Sequence, residues 1–210
     1  VRSSAASDVY KRQPCVIVTT SAENWSMEEL SSVSIDDEKA GETIVDYLIE
    51  HGHTKIAEIG ANLELSQTAR LRHNGYLNSL KKHGITPDER YYERARFSYD
   101  SAYRAMKKLL EKDIEITAVY AISDVMAIGA LRAILDKGLR VPEDISITGF
   151  DGSTLAEYYN PKIVSIRQPH KDMAARSVEL LFNMIDLHKG SCHEIIPFEL
   201  TEGESVARID

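Results

Sequence analysis

From Pro14 onward, short apolar runs alternate with longer stretches in which apolar residues recur at helical spacing. CVIVT (15–19) and VSI (33–35) read as strands, the first opening after a proline and the second running into an acidic pair. EKAGETIVDYLIEHG (38–52) sets Ala40, Ile44, Tyr47 and Leu48 on one helical face and stops at Gly52. KIAEIGA (55–61) is the next strand, followed by the helix SQTARLRHNGYLNSLKKHGI (66–85), ended by Gly84. RARFSY (94–99) reads as a short strand and DSAYRAMKKLLEK (100–112) as a helix. AVYAIS (118–123) and the helix DVMAIGALRAILDKG (124–138) repeat the pattern. ISITGF (145–150) is an almost unbroken apolar strand, as parallel strands covered on both faces tend to be.

After a short helical TLAEYY (154–159) come the strand VSIRQ (164–168) and the amphipathic helix HKDMAARSVELLFNMIDLHKG (170–190). Its periodicity lines up Met173, Ser177, Leu181, Met184 and His188, with Val178 and Ile185 beside them. The tail EIIPFELTEGESV (194–206) holds one or two strands. Helices end on a cation and a glycine at His51-Gly52, His83-Gly84, Lys137-Gly138 and Lys189-Gly190. A positive side chain suits the negative helix C-terminus, and glycine takes the left-handed cap. Alternating strands and helices imply an α/β fold, a parallel sheet with helices on both faces.

Composition narrows the function classes. The chain has 210 residues, 43% apolar and 28% charged, enough for one domain or two small lobes. Its net charge of −8, with no dense Lys/Arg cluster, repels nucleic acid, so the chain by itself is not expected to bind DNA. Cys15 and Cys192 alone make no disulfide framework and suit reduced thiols in the cytoplasm. No apolar run approaches the roughly 18 residues of a membrane span, and no secretory signal opens the chain. Residues 1–13, VRSSAASDVYKRQ, are polar and unpatterned; they are expected to be a disordered or non-native leader.

Ligands of parallel sheets sit beyond the carboxyl ends of the strands. The residues that follow the strands are Thr19 and Thr20, Asp36 and Asp37, the loop before Arg72, Phe97 and Tyr99, Ser123 and Asp124, Asp151, and Gln168. Carboxylates and amides that accept paired hydroxyls, an Arg fork and an aromatic cover suit a polyhydroxylated or heterocyclic ligand. Each also has a plainer reading. Asp124 is placed to cap DVMAIGAL, and Asp36 or Asp37 to cap the helix starting at Glu38. Arg72 is open to a surface salt bridge, and the Tyr91-Tyr92 and Tyr158-Tyr159 pairs to packing.

Enzyme signatures are weak. His51-x-His53 has no further ligands to complete a metal site, and no phosphate-cradling or nucleophile-elbow motif occurs, so neither metal nor cofactor is expected. The run FDGSTL resembles the Asp-x-Asp-Gly-Thr motif of haloacid-dehalogenase-type phosphatases. Its nucleophile would stand two residues before Asp151, where the chain has Gly149, so no aspartyl-phosphate can form and no enzyme is expected.

The segment TAVYAISDVMAIGALRAILDKGLRVPEDISITGFDGSTLAEYYNPKIVSIRQPHKDMAARSVELL resembles the effector-binding domain of the LacI/GalR family of bacterial transcription regulators. SVSIDDEKAGETIVDYLIEHGHTKIAEIG and ARLRHNGYLNSLKKHGI agree in the same order, and the likeness runs from about Pro14 to Val206. It implies a periplasmic-binding-protein-like fold: two parallel-sheet lobes, with a sugar, polyol or nucleoside-like effector in the cleft between them. One lobe would comprise about 14–52 and 168–189, the other about 53–167 and 190–210. By the same resemblance Arg72 and Asp151 grip the effector and Phe97 flanks it. Ser123 stands beside it, and Asp36 and Asp37 lie at the rim. Gly152, Thr19-Thr20 and Gly203 depart from the family's usual residues and leave the ligand class open.

The family's helix-turn-helix and several segments of the first lobe have no counterpart here. The expectation is an N-terminally truncated effector domain with an incomplete first lobe and an exposed, aggregation-prone or dimerising edge. The partners implied are a second copy in a homodimer and operator DNA, reached only through the missing N-terminal domain. The alternative is a sugar-binding protein of a transport system, which shares the fold and would carry a secretion signal.

Overall fold

β1 (Cys15–Val18) and β2 (Leu30–Ser34) pair in parallel, and a computed structural model describes residues 13–22, 30–187 and 190–209 around them. Residues 1–12 of the expected leader 1–13, and Lys189 of the expected Lys189-Gly190 helix end, therefore lie outside the described residues. β3 (Ile56–Gly60), β4 (Tyr92–Arg94), β5 (Ala118–Ala121), β6 (Ser146–Asp151) and β7 (Val164–Arg167) follow, then β8 (His193–Ile195) and β9 (Glu199–Thr201). The helices are α1 (Asp37–Glu50), α2 (Gln67–Lys82), α3 (Tyr99–Glu111), α4 (Asp124–Asp136), the single-turn α5 (Thr154–Tyr158) and α6 (His170–Asp186).

Two compact units result. The first takes the described residues up to Asp36 together with Pro169–Phe198; the second takes Asp37–Gln168 and Glu199–Asp210. In the first, the strand order is β1-β2-β8, all parallel, and α6 packs across β1 and β2. β2 is buried at every position although it reads LSSVS. Partners satisfy its hydroxyls: Ser31 accepts from the Cys192 amide at 3.0 Å, and Ser32 bonds His193 Nδ1 at 2.9 Å. α6 buries Met173, Leu180 and Met184, while Val178 and Ile185 are exposed. The buried stripe thus lies one residue away from the expected Leu181.

The second unit has the strand order β4-β3-β5-β6-β7-β9, parallel except for the last pair. β3 turns one way to reach β4, whereas the connections from β4 to β5 and from β5 to β6 run the other way. Right-handed crossovers then put α2 on one face and α3 and α4 on the opposite one. α1 packs on α2 and α3 on α4. Gly75 allows the first contact, since a Cβ there would stand 2.3 Å from the Glu38 carbonyl oxygen. The core between the layers includes Ile59, Tyr120, Ile122, Met126, Leu131, Ile147 and Phe150.

The structure departs from the sequence reading at three further places. α1, expected in the first lobe, groups with the second unit because its apolar face meets α2. The tail divides: β8 joins β2 in the first unit, and β9 runs antiparallel beside β7 in the second. The strand expected over 94–99 lies at 92–94 instead. Ser98 is the N-cap of α3, its hydroxyl accepting from the Ser101 amide at 3.4 Å, so Phe97 falls in the bend between strand and helix. Gly52 has a φ of 94°, as a helix-ending glycine should, and the C-terminal tail closes over it through a bond from Ile209 N to His51 O. Among the described residues no helix is long and apolar enough to cross a membrane.

Candidate functional site

The carboxyl ends of β3 to β7 share one edge of the second unit's sheet, and β6 delivers Asp151 to it. Asp151 has a φ of 119°, outside the comfortable range for a side-chain-bearing residue, and Gly152 follows at 63°. A Cβ on Gly152 would stand 2.5 Å from the Arg167 Cα, so the packing against β7 leaves no room for a side chain there. Backbone held in such a conformation is paid for by the surrounding structure and concentrates at functional sites.

Two side chains meet at Asp151. Gln168, just past β7, donates Nε2 to Asp151 Oδ1 at 2.8 Å. Arg72 Nη1 stands 3.6 Å from the same oxygen and donates to the Ile122 carbonyl at 2.6 Å. Arg72 Nε donates to Asp37 Oδ1 at 2.8 Å, and the guanidinium carbon lies over Phe150, 3.6 Å from the ring centre. Arg72 is therefore not the surface residue of the plainer reading; it is buried, together with Asp37. The buried Gln168 Oε1 has no hydrogen-bond partner among the described residues.

Burial pushes the Asp151 carboxyl up to about 6; Arg72 opposes the shift, Asp124 adds to it and the Gln168 bond opposes it. Asp124 is raised by burial too, against bonds from the Ser165 hydroxyl and the Ser153 amide, each 2.6 Å long. Asp124 is not the helix cap that its position suggested. Ser123 is the cap, buried, its hydroxyl accepting from the Met126 amide at 3.3 Å. Asp124 ties the β6–α5 loop to β7 instead. A Cβ at Gly149 would come within 2.3 Å of Asp124 Oδ1. The position where a phosphatase would hold its nucleophile is filled by this carboxylate.

The structure thus brings Arg72, Asp37 and Asp151 together, adds Gln168, and gives Ser123 a capping role. Phe97 is half exposed on the same carboxyl edge, in the bend after β4, and makes no contact with Asp151 among those described. Asp36 is exposed and is the last residue of the first unit. Gln168 was visible in the sequence only as a polar residue ending a strand; its tie to Asp151 depends on the β6–β7 register. Chemically, the cluster offers a guanidinium, a carboxylate and an amide oxygen beside an aromatic floor, and no nucleophile at 149. Among the described residues no three His, Cys, Asp or Glu side chains gather to hold a metal.

Comparison with known proteins agrees with this architecture. The family of periplasmic binding protein-like domains matches residues 45–206, and the chain belongs to that family. Its relatives are regulators. It is 41% identical over 179 residues to the HTH-type transcriptional regulator MalR of Clostridium butyricum, covering 85% of this chain and 53% of MalR. It is 36% identical over 173 residues to the HTH-type transcriptional repressor CytR of Escherichia coli K12, covering 82% of this chain and 50% of CytR. The chain spans about half the length of the curated relatives it matches.

Among solved structures, the transcriptional regulator CelR in complex with cellobiose superposes with a TM-score of 0.85 at 27% identity, covering 96% of this chain and 69% of CelR. A LacI family regulator from Enterococcus faecium with bound ribose gives 0.83 at 26%, covering 94% and 72%. The resemblance to LacI/GalR-type regulators is matched in sequence and in fold, and these relatives are regulators rather than transport components.

Proposed function

We propose that this chain is the effector-sensing part of a LacI/GalR-type transcription regulator, and that it binds a sugar or a related polar small molecule at the carboxyl edge of the six-stranded sheet. The observation that carries the reading is the Arg72–Asp151–Gln168 cluster, in which Arg72 and Gln168 are buried, Asp151 is part-exposed and the Gln168 Oε1 is left without a partner. Vicinal hydroxyls fit it, each donating to Asp151 or Gln168 Oε1 and accepting from Arg72. Phe97, on the same edge, is the candidate apolar cover, and Asp37 acts by orienting Arg72; Asp36 is left out. The ligands named for two structural neighbours, cellobiose and ribose, support this class of effector.

In the whole regulator, effector binding would favour one of two conformations and so change the DNA-competent population. DNA contact, a homodimeric state, a cytoplasmic location and the absence of catalysis belong to the same proposal. A thermal-shift screen against monosaccharides, disaccharides, polyols and nucleosides tests it, because a ligand at about 100 times its Kd stabilises the folded state by about 2.7 kcal/mol. Asp151→Asn should remove the shift given by the best sugar. A shift that survives in this variant would put the effector elsewhere.

A further inference from the structure

On the α2 side of the second unit, away from Arg72 and Asp151, a pocket of about 560 Å³ opens between α2, the loop after it and β4. That size is within the usual range of small-molecule sites, about 300–1,000 Å³. Its walls are the rings of His73, Tyr76 and Tyr92, and each ring is pinned from behind. His73 Nδ1 lies 2.6 Å from Oε2 of Glu58, a fully buried carboxylate in the middle of β3. Tyr76 donates its hydroxyl to the Ile56 carbonyl at 2.9 Å, and Tyr92 donates to the Ala61 carbonyl at 2.7 Å.

Both tyrosine hydroxyls are thereby spent on β3 and the residue after it; Tyr76 is buried between His73 and Tyr120, so the part-exposed ring of Tyr92 and the edge of His73 are left to meet a ligand. His73 and Tyr92 stand edge to face at 5.2 Å, and His73 and Tyr76 stack at 6.2 Å. Gly60 makes room for the Tyr92 ring, since a Cβ there would lie 2.6 Å from it. The site is preformed.

The mouth carries carboxylates, while in the wall burial disfavours the charged form of His73 and the bond to Glu58 outweighs it, raising the His73 pKa. Leu63, Leu77 and Pro87 complete the apolar lining, and Asp88 and Glu89 supply carboxylates, while no Lys or Arg lines the pocket. Asp88 is partly neutralised by Arg90, whose Nη2 donates to it at 2.7 Å. Glu89 is exposed and takes no hydrogen bond or ion pair among the described residues, and the second oxygen of Glu58, behind His73, is buried without a partner. Ring faces carry partial negative charge and attract ammonium groups. We propose that this pocket is a second ligand site, separate from the sugar site, that takes a small organic ammonium ion with a flat apolar body.

The test uses the full chain and three indoles that differ only in the side arm: tryptamine, indole-3-acetate and uncharged 3-methylindole. Isothermal titration should show saturable tryptamine binding, with indole-3-acetate weaker by roughly tenfold or more, as a desolvated cation–π contact predicts. The 3-methylindole should fall between them. Leu77→Trp, which fills the pocket, should abolish tryptamine binding, and Glu89→Lys should weaken it several-fold. Equal affinity for the two charged indoles overturns the proposal, as does an absence of saturable tryptamine binding. So does binding that persists in a folded Leu77→Trp chain. If Leu77→Trp fails to fold by circular dichroism, Glu89→Lys decides, because that residue is exposed and its exchange leaves the core untouched.

Discussion

Arg72 Nη1 stands 3.6 Å from Asp151 Oδ1, and neither side chain depends on the other alone: Asp37 holds the guanidinium and Gln168 holds the carboxylate. The pair is part of the fold as well as of the candidate site. Truncating Arg72 would leave Asp37 buried without its cation and the Ile122 carbonyl without its donor. Arg72→Ala should lower stability by about 3–5 kcal/mol, the usual cost of breaking a buried pair from one side. Urea unfolding measures it. A loss below about 1 kcal/mol would mean that Asp37 finds other donors, and the site would rest on Asp151 and Gln168.

Asp151 gives the chain a pH signature. Its folded carboxyl is raised to about 6 from an ordinary value of 3.8. A raised acid favours the folded state while it is protonated. Its contribution is present below about 4 and is lost as pH rises through 6. The Asp151→Asn chain should therefore show a flatter stability profile between those values than the parent, its side-chain oxygen still accepting from Gln168. Identical profiles in the two chains would contradict the burial described for Asp151. Effector affinity in the parent should rise over the same window if ligand hydroxyls need the ionised carboxylate.

His53 acts with the opposite sign. It is buried, its Nε2 faces the Ala207 carbonyl at 3.0 Å and its Nδ1 faces the Thr117 hydroxyl at 3.1 Å. Burial lowers its pKa from 6.5; the Ala207 bond opposes the shift and His51 adds to it. The neutral ring donates to Ala207 and accepts from Thr117. A lowered base stabilises the fold above its unfolded pKa, and that stability is lost as pH falls through 6.5 toward the folded value. His53→Gln should flatten the acid side of the profile and loosen the C-terminal tail. Faster amide exchange at Ile209, which bonds His51, is the readout, and unchanged exchange counts against this anchoring.

Ser123 separates capping from ligand contact. Its hydroxyl is committed to the Met126 amide, so Ser123→Ala should cost about 1 kcal/mol of stability and leave the affinity for a sugar unchanged. A drop in affinity larger than the drop in stability explains would return Ser123 to the set of direct contacts.

The order of strands and helices was legible because the long helices carry their apolar spacing locally, and α1, α2 and α4 also carry a terminal glycine, in the dozen or so residues that form them. Asp151 was legible for a similar reason: a strand of unbroken apolar residues must end somewhere polar. Pairing decisions were not. Nothing near α1 says that its apolar face meets α2, since that contact hangs on Gly75, more than 20 residues downstream of its last turn. The partner of Arg72 was hidden likewise, because Asp37 reads as a cap until the two helices are placed together. Ser98 outweighed the strand reading of RARFSY through one cap bond, which moved Phe97 out of a strand.

The three-stranded sheet has a consequence for synthesis. Ser32 in β2 waits for His193 in β8, 161 residues later in the chain. At the usual pace of a ribosome, about 5–20 residues per second, that is a delay of roughly 8 to 32 seconds. Throughout it, the serines of β2 have no strand on one side, while β3 to β7 emerge and can pair among themselves. The second unit can assemble as it is made, and the first must wait for the last few residues before its sheet can close. A chaperone that shields β1 and β2 would be needed only during this interval.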